Sequence, residues 1–256
     1  MPILLPFVRT VRQLTGGSYK SGWNSNYIKH PDYAKSPERY IHSFLLIQND
    51  LFKLFEYVDP SDKNKLTYSY RIHELFMRVC MEIEANCKAI LKENGYTKKP
   101  ENMNMKDYCL IEKTHKLSEY QVSLPRWEGK FGIYYPFEKW ALNEELGWYK
   151  YHNYSKHDIH ANFKHSNIKN LIEATCGLVA LLSSQFLDED FSGADPKLIL
   201  EGYGDHMESA IGGIFRVKYP VMKNDERYNF DWVTLKHKAN IFQKHDYDRI
   251  KIDIKK

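Results

Sequence analysis

The stretch GWYKYHNYSKHDIH, residues 147–160, crowds Tyr149, His152, Asn153, Lys156, His157, Asp158 and His160 into about three helical turns. Hydrolysis or transphosphorylation of RNA needs a general base near neutrality and a cation for the charge that develops on phosphorus. Histidine and lysine supply both without a metal. If the stretch is helical, Tyr149, His152 or Asn153, Lys156 and His160 fall at three- and four-residue steps on one face, with Asn153 and His157 in a neighbouring row. The plain alternative is a solvated Lys/His face with Tyr and Trp packed beneath it.

Other chemistries find less support. His157, His160 and His165, with Asp158, give the spacing H-x2-H-x4-H, which matches no zinc pattern; there is no HExxH and no Cys nearby. No Walker loop, GxGxxG or GxSxG occurs, so neither a metal nor a cofactor is expected. Cys80, Cys87, Cys109 and Cys176 form no CxxC pair and sit in apolar helical patterns, as reduced, buried thiols do. The net charge of +4 permits a polyanion partner but is far below that of a protein built to coat DNA. Nineteen Tyr and thirteen Phe are an excess that cores, pockets and base stacking could each use. MPILLPFVRTVRQL is too short and too interrupted by Pro2, Pro6, Arg9 and Arg12 for a spanning helix or signal, so a soluble, cytoplasmic protein without membrane contact is expected.

The elements that must position the cluster are mainly α-helical. Ser36-Pro37-Glu38 reads as a helix start, and apolar steps from Ile41 to Phe55 carry that helix to about Tyr57, before Asp59-Pro60. From about Thr67 to Asn94, Ile72, Leu75, Phe76, Val79, Cys80, Ile83, Cys87, Ile90 and Leu91 hold one face, and Gly95 stands where a left-handed cap belongs. Arg71, Glu74, Arg78 and Glu82 line an adjoining stripe, either a ladder of ion pairs or a polar wall facing residues 152–160. Asn104 can cap a short helix reaching about Leu117. Residues 120–135, with Pro125, Gly129 and Gly132, read as a loop or small hairpin, and 136–140 as a turn of helix that docks two aromatics.

The longer apolar helix, capped by Ser166, buries Ile168, Leu171, Ile172, Thr175, Leu178, Val179, Leu182 and Phe186, with Gly177 marking a close crossing. Residues 214–219 and 228–232 read as short β-stretches. The organisation expected is an irregular arm over 1–34, a helical domain of four to six helices over 35–191, and a partly β appendage over 192–256 packed on it. The C-terminal basic run (Lys236, Lys238, Lys244, Arg249, Lys251, Lys255, Lys256) is interrupted by Asp246, Asp248 and Asp253 and reads as a solvated tail.

WYKYHNYSKHDIHANF followed by NLIEATCGLVALL resembles a bacterial pattern in which an aromatic-Tyr-Asn-x-x-Lys-His-Asp-Arg segment precedes a small, apolar helix. YSYRIHELFMRVCMEIEANCKAIL looks like its companion helix. Proteins of this kind resemble distant members of the HEPN superfamily (higher eukaryotes and prokaryotes nucleotide-binding domains). The resemblance covers about residues 36–187. It implies an all-helical, usually dimeric protein of toxin–antitoxin or antiphage systems, whose active members are metal-independent ribonucleases with sites formed across the dimer.

Asn153, Lys156, His157 and Asp158 match the segment as they stand; His152 replaces its Tyr and Ile159 its Arg. No Arg is followed by His after four to six residues, the spacing of active members, and Lys156 to His160 is the nearest stretch. On this resemblance Lys156 would hold phosphate, His157 or His160 would act as base or acid, Asn153 would orient them and Asp158 would complete the set. Tyr149, His152, Arg71, Glu74 and Arg78 would contact substrate. RNA, a second copy of the chain and an antitoxin are the partners implied. Two readings stay open beside it: a non-catalytic helical dimerisation or interaction module with a structural Lys-His-Asp network, and a small-molecule or nucleotide pocket between the helices, lined by Trp140, Trp148, Tyr149 and Tyr151.

Overall fold

A computed structural model describes residues 2–191 and 206–252 of the chain. Among these residues the architecture is mainly helical with a small antiparallel sheet. Four helices are longer than ten residues: α1 (Pro37–Phe55), α2 (Tyr70–Glu93), α5 (Gly147–His157) and α7 (Ile168–Phe186). Single-turn helices lie between and after them: α3 (Met105–Tyr108), α4 (Glu112–His115), α6 (Ile159–Asn162) and α8 (Trp232–Leu235).

The helix starts follow residue type. Ser69 accepts from Ile72 N at the head of α2, three residues later than the sequence suggests, and Gly95 ends it at φ +91. Asn104 and Asp107 form a reciprocal capping box on α3. Two capping expectations are corrected. Ser36 precedes α1 in a left-handed conformation and its hydroxyl makes no capping bond, so Pro37 marks that start. Asn167, not Ser166, caps α7 by accepting from Asn170 N, because the Ser166 hydroxyl is engaged by His73.

The core is centred on α7, packed against α2, with α1 and α5 on the flanks of α2. From Leu171 to Phe186 every residue of α7 except Glu173 is buried, as befits a helix apolar on nearly all sides. Its last turn is polar: Ser184 Oγ donates to Leu181 O, and Gln185 Nε2 to Asn86 Oδ1. Gly177 lies beneath two aromatics, where a Cβ would stand 3.4 Å from Trp148 Cζ2 and 3.6 Å from the Phe137 ring. A Gly177→Leu chain therefore has no room, and urea unfolding is expected to show a loss of about 1–3 kcal/mol. A loss under about 0.5 kcal/mol would show that this crossing has slack.

The 120–135 segment is a hairpin, β1 (Gln121–Ser123) with β2 (Ile133–Tyr134), and Phe137 and Trp140 are both buried after it. β4 (Arg216–Lys218) pairs antiparallel with β1, placing Val217 opposite Val122, and β3 (Glu208–Ser209) pairs with β4. The sheet order is β2-β1-β4-β3. Residues 228–232 are not a strand. Tyr228 instead forms parallel bridges to Ile3 and Leu14, and α8 begins at Trp232 under an Asp231 cap.

The N-terminal residues run between these C-terminal residues and α7. Val8 N donates to Gln243 O, Val11 N to Ser184 O, and Tyr228 N to Gln13 O. Irregular backbone is thus paired with irregular backbone and with a carbonyl of the last turn of α7, which meets the requirement that buried amides find partners. Lys236, Lys238, Lys244, Arg249 and Lys251 are exposed; residues 192–205 and 253–256, with Ser192, Gly193, Pro196, Asp253, Lys255 and Lys256, lie outside the described residues. No helix among the described residues is long and apolar enough to cross a membrane.

Candidate nucleic-acid interface

The first correction to the 147–160 cluster is its backbone. One helix does not run through it: α5 ends at His157 and α6 begins at Ile159, with Asp158 between them at φ −148, ψ 91. Asp158 Oδ1 accepts from Ala161 N at 3.0 Å, so this carboxylate is spent on capping α6. His160 consequently does not continue the row of Tyr149, His152 and Lys156.

α5 buries Trp148, Tyr149, His152 and Ser155 against its neighbours, an inward stripe at helical spacing. Tyr149 OH donates to Glu84 Oε1 of α2 at 2.8 Å, with Lys88 Nζ 3.7 Å from the same carboxylate's other oxygen. His152 is 1% exposed and packs beside Tyr149 and the edge of Phe76. Burial lowers its pKa to about 4, an effect that Glu84 opposes and Lys156 adds to, so the ring is neutral at physiological pH. Its Nδ1 has no hydrogen-bond partner. Below it, Ser166 Oγ lies 2.9 Å from His73 Nδ1 and 3.2 Å from Ser155 Oγ. This is a buried polar seam joining α2, α5 and the lead into α7, and Tyr149 and His152 belong to it.

The remaining members face outward. Lys156, His157, Asp158 and His160 are exposed and Asn153 is half-buried. No hydrogen bond or ion pair links Lys156, His157 and His160 among the described residues. They sit on two successive helices, where they face solvent without enclosing a reacting group.

Arg71, Glu74 and Arg78 are not brought to this corner. With Asp50, Lys53 and Tyr57 they line a separate open cleft of about 970 Å³ between α1 and α2. Arg71 pairs with Glu74 at 3.0 Å, whereas Arg78 reaches Asp50 of α1 at 2.7 Å, so the stripe is only partly an intrahelical ladder. Trp140 and Trp148 are core residues, the latter donating from Nε1 to Pro136 O at 2.9 Å.

What the corner does gain comes from a segment far away in sequence. Ile168 N donates to Thr67 O and Lys169 N to Lys65 O, laying residues 65–70 beside residues 163–169. This brings Tyr70 and Tyr68 to Phe163, with ring centroids 4.7 and 5.4 Å apart. Nearby, Tyr151 stacks on His165 at 4.4 Å and meets the edge of Tyr154. Tyr68, Tyr70 and Tyr154 are each at least 45% exposed. Residues 147–169 carry four lysines (Lys150, Lys156, Lys164, Lys169), all exposed, against the single acid Asp158. Cations thus alternate with aromatic faces, the composition that single-stranded nucleic acid asks of a surface. Tyr68, Tyr70 and Phe163 escape a reading of the sequence; the run KNKLTYSY before α2, basic and aromatic together, is the available signal.

No protein-family model, curated protein or solved structure matches the chain.

Proposed function

We propose that this chain is a HEPN-like RNA-binding protein whose α5–α6 corner engages single-stranded RNA. The observation that carries the reading is the outward face just described, lysines interleaved with exposed tyrosines and a single acid that is already committed to a helix cap. Lys150, Lys156, Lys164 and Lys169 would neutralise phosphates, and Tyr154, Tyr68 and Tyr70 would stack on bases. His157 and His160 are accessible to a bound backbone. In the HEPN-like arrangement a second copy would supply the groups one corner lacks for cleavage, and an antitoxin would cover the same face.

The test is fluorescence anisotropy with a labelled oligouridylate at salt concentrations from about 50 to 200 mM. The affinity is expected to fall steeply with salt, and the Lys156→Ala/Lys164→Ala pair to flatten the slope by about 1.4, two phosphate contacts at about 0.7 each. Tyr154→Ala should cost about 1–3 kcal/mol of binding with the salt slope unchanged. A parallel incubation with tRNA in EDTA, beside His157→Ala and His160→Ala, separates cleavage from binding.

A non-catalytic interaction module is the second reading. It draws on the capping role of Asp158 and the buried seam of Tyr149 and His152. Absence of oligouridylate binding, with an oligomeric state that changes in Lys156→Ala, would favour it.

A further inference from the structure

A cavity of about 270 Å³ opens beside the first turns of α5 and α7, behind the cation-rich corner. That volume takes one base-sized group and falls short of the roughly 300–1,000 Å³ typical of larger ligands. Tyr135 and Tyr151 line it, as do four charged side chains, Glu138, Lys139, Lys169 and Glu173. None of these four makes a side-chain hydrogen bond or ion pair among the described residues. Tyr151 is held rigid by its stack on His165, and both Tyr151 and Lys169 also belong to the corner.

Glu173 is the only residue of α7 after Lys169 that is not fully buried; it lines this space, and its carboxylate has no hydrogen-bond donor among the described residues. Burial raises its carboxyl above the ordinary range; Lys169 opposes that effect and Glu138 adds to it. A half-desolvated carboxylate gains most from two parallel N–H donors, which satisfy both oxygens at once. The Watson–Crick edges of the bases differ in this respect. Guanine alone sets a ring N–H beside an exocyclic amine. Cytosine and adenine place an acceptor next to their amine, and uracil flanks its N–H with two carbonyls.

We infer that the cavity is a guanine-selective base pocket, in which Glu173 accepts from N1–H and the 2-amino group, Tyr151 supplies a stacking platform, and Lys139 and Lys169 neutralise the phosphate of the same nucleotide. The inference deepens the RNA-binding reading and rests on it for its biological setting, but it can be measured separately. Trp148 lines the cavity and reports occupancy by its fluorescence.

The full chain is titrated with GMP, IMP, AMP, CMP and UMP, and with oligouridylate in a separate arm. GMP is expected to bind about tenfold or more tightly than the others, IMP included because it lacks the 2-amino donor. Glu173→Gln should erase that preference, because a carboxamide offers one acceptor where two are needed. The GMP-to-IMP ratio of the unaltered protein decides the point even if Glu173→Gln does not fold. Equal binding of GMP and IMP, or a preference untouched by Glu173→Gln, overturns the pocket while oligouridylate binding keeps the corner. A GMP preference without oligouridylate binding overturns the corner and keeps the pocket. Silence in both arms overturns both.

Discussion

Arg9→Ala is expected to lower the unfolding free energy by about 3–5 kcal/mol, a large share of the roughly 5–15 kcal/mol that holds a domain together. The guanidinium is fully buried. Nη1 donates to Gln185 Oε1 at 2.8 Å and Nη2 to Lys35 O at 3.0 Å. Nε lies 2.9 Å from Glu93 Oε1, an ion pair whose N–H is not aimed at the oxygen. The group also lies over Tyr40 and Phe186. One side chain therefore joins the N-terminal arm to the end of α2, the end of α7 and the approach to α1. Truncation leaves the mostly buried Glu93 without its cation and Gln185 with an open acceptor, both costly in a low dielectric. The Arg9→Met/Glu93→Met pair removes both charges and keeps volume, so it should cost less than Arg9→Ala alone. Urea unfolding of the set measures this, and a loss below about 1 kcal/mol for Arg9→Ala would show that the arm is held by its backbone bonds alone.

Arg9 also marks where the sequence stops being legible. α2 and α7 can be read because nine and seven apolar residues of their buried stripes repeat at helical spacing, and because caps such as Asn104 with Asp107 act within one turn. The hairpin of β1 and β2 is equally local. The pairing of Val8 with Gln243, or of Tyr228 with Gln13, joins residues more than two hundred positions apart through backbone groups that carry no side-chain signal. The same holds for the candidate interface. The types of Lys156, His157 and His160 are plain in the chain, but their exposure depends on a break at Asp158. That break has a local signal, an N-capping residue type inside a helical pattern, and reading it as a boundary separates His160 from the row. Nothing local places Tyr68 and Tyr70 against Phe163, since that contact comes from the docking of residues 65–70 beside the start of α7.

Acidification from pH 6.5 to 5 is expected to destabilise the fold at up to about 4 kcal/mol per pH unit, the slope for uptake of three protons. His115, His152 and His245 are buried at 1%, 1% and 8% exposure, and burial is the largest cause of the lowered pKa of each. His115 falls to about 4 with Arg12 adding to the effect and its bond to Arg9 O opposing it; His245 falls further, with His115 and Arg12 beside it. Their neutral forms are built into the packing. His115 Nε2 donates to Arg9 O at 2.9 Å while Thr114 Oγ1 lies 2.7 Å from Nδ1, and His245 stacks on Phe7 with Nε2 3.1 Å from Thr10 Oγ1. Because the folded pKa values lie below the unfolded value near 6.5, the unfolded chain takes up protons first as pH falls. The stabilisation is complete above pH 6.5 and is lost towards pH 4, amounting to about 3 kcal/mol for His115 alone at about 1.4 kcal/mol per pH unit. Carboxylates held low by partners, such as Asp107 beside Lys98, add their own loss only at lower pH, whereas Glu112 and Glu173, raised by burial, bind protons first in the folded state and oppose the histidine slope. Unfolding followed at several pH values should show this slope, and His115→Gln should reduce it by about one proton while lowering stability at pH 7. A stability that stays level between pH 6.5 and 5 would mean that these rings are protonated in the folded protein. The pairing of arm, α4 and C-terminal residues around His115 and His245 would then have to be wrong.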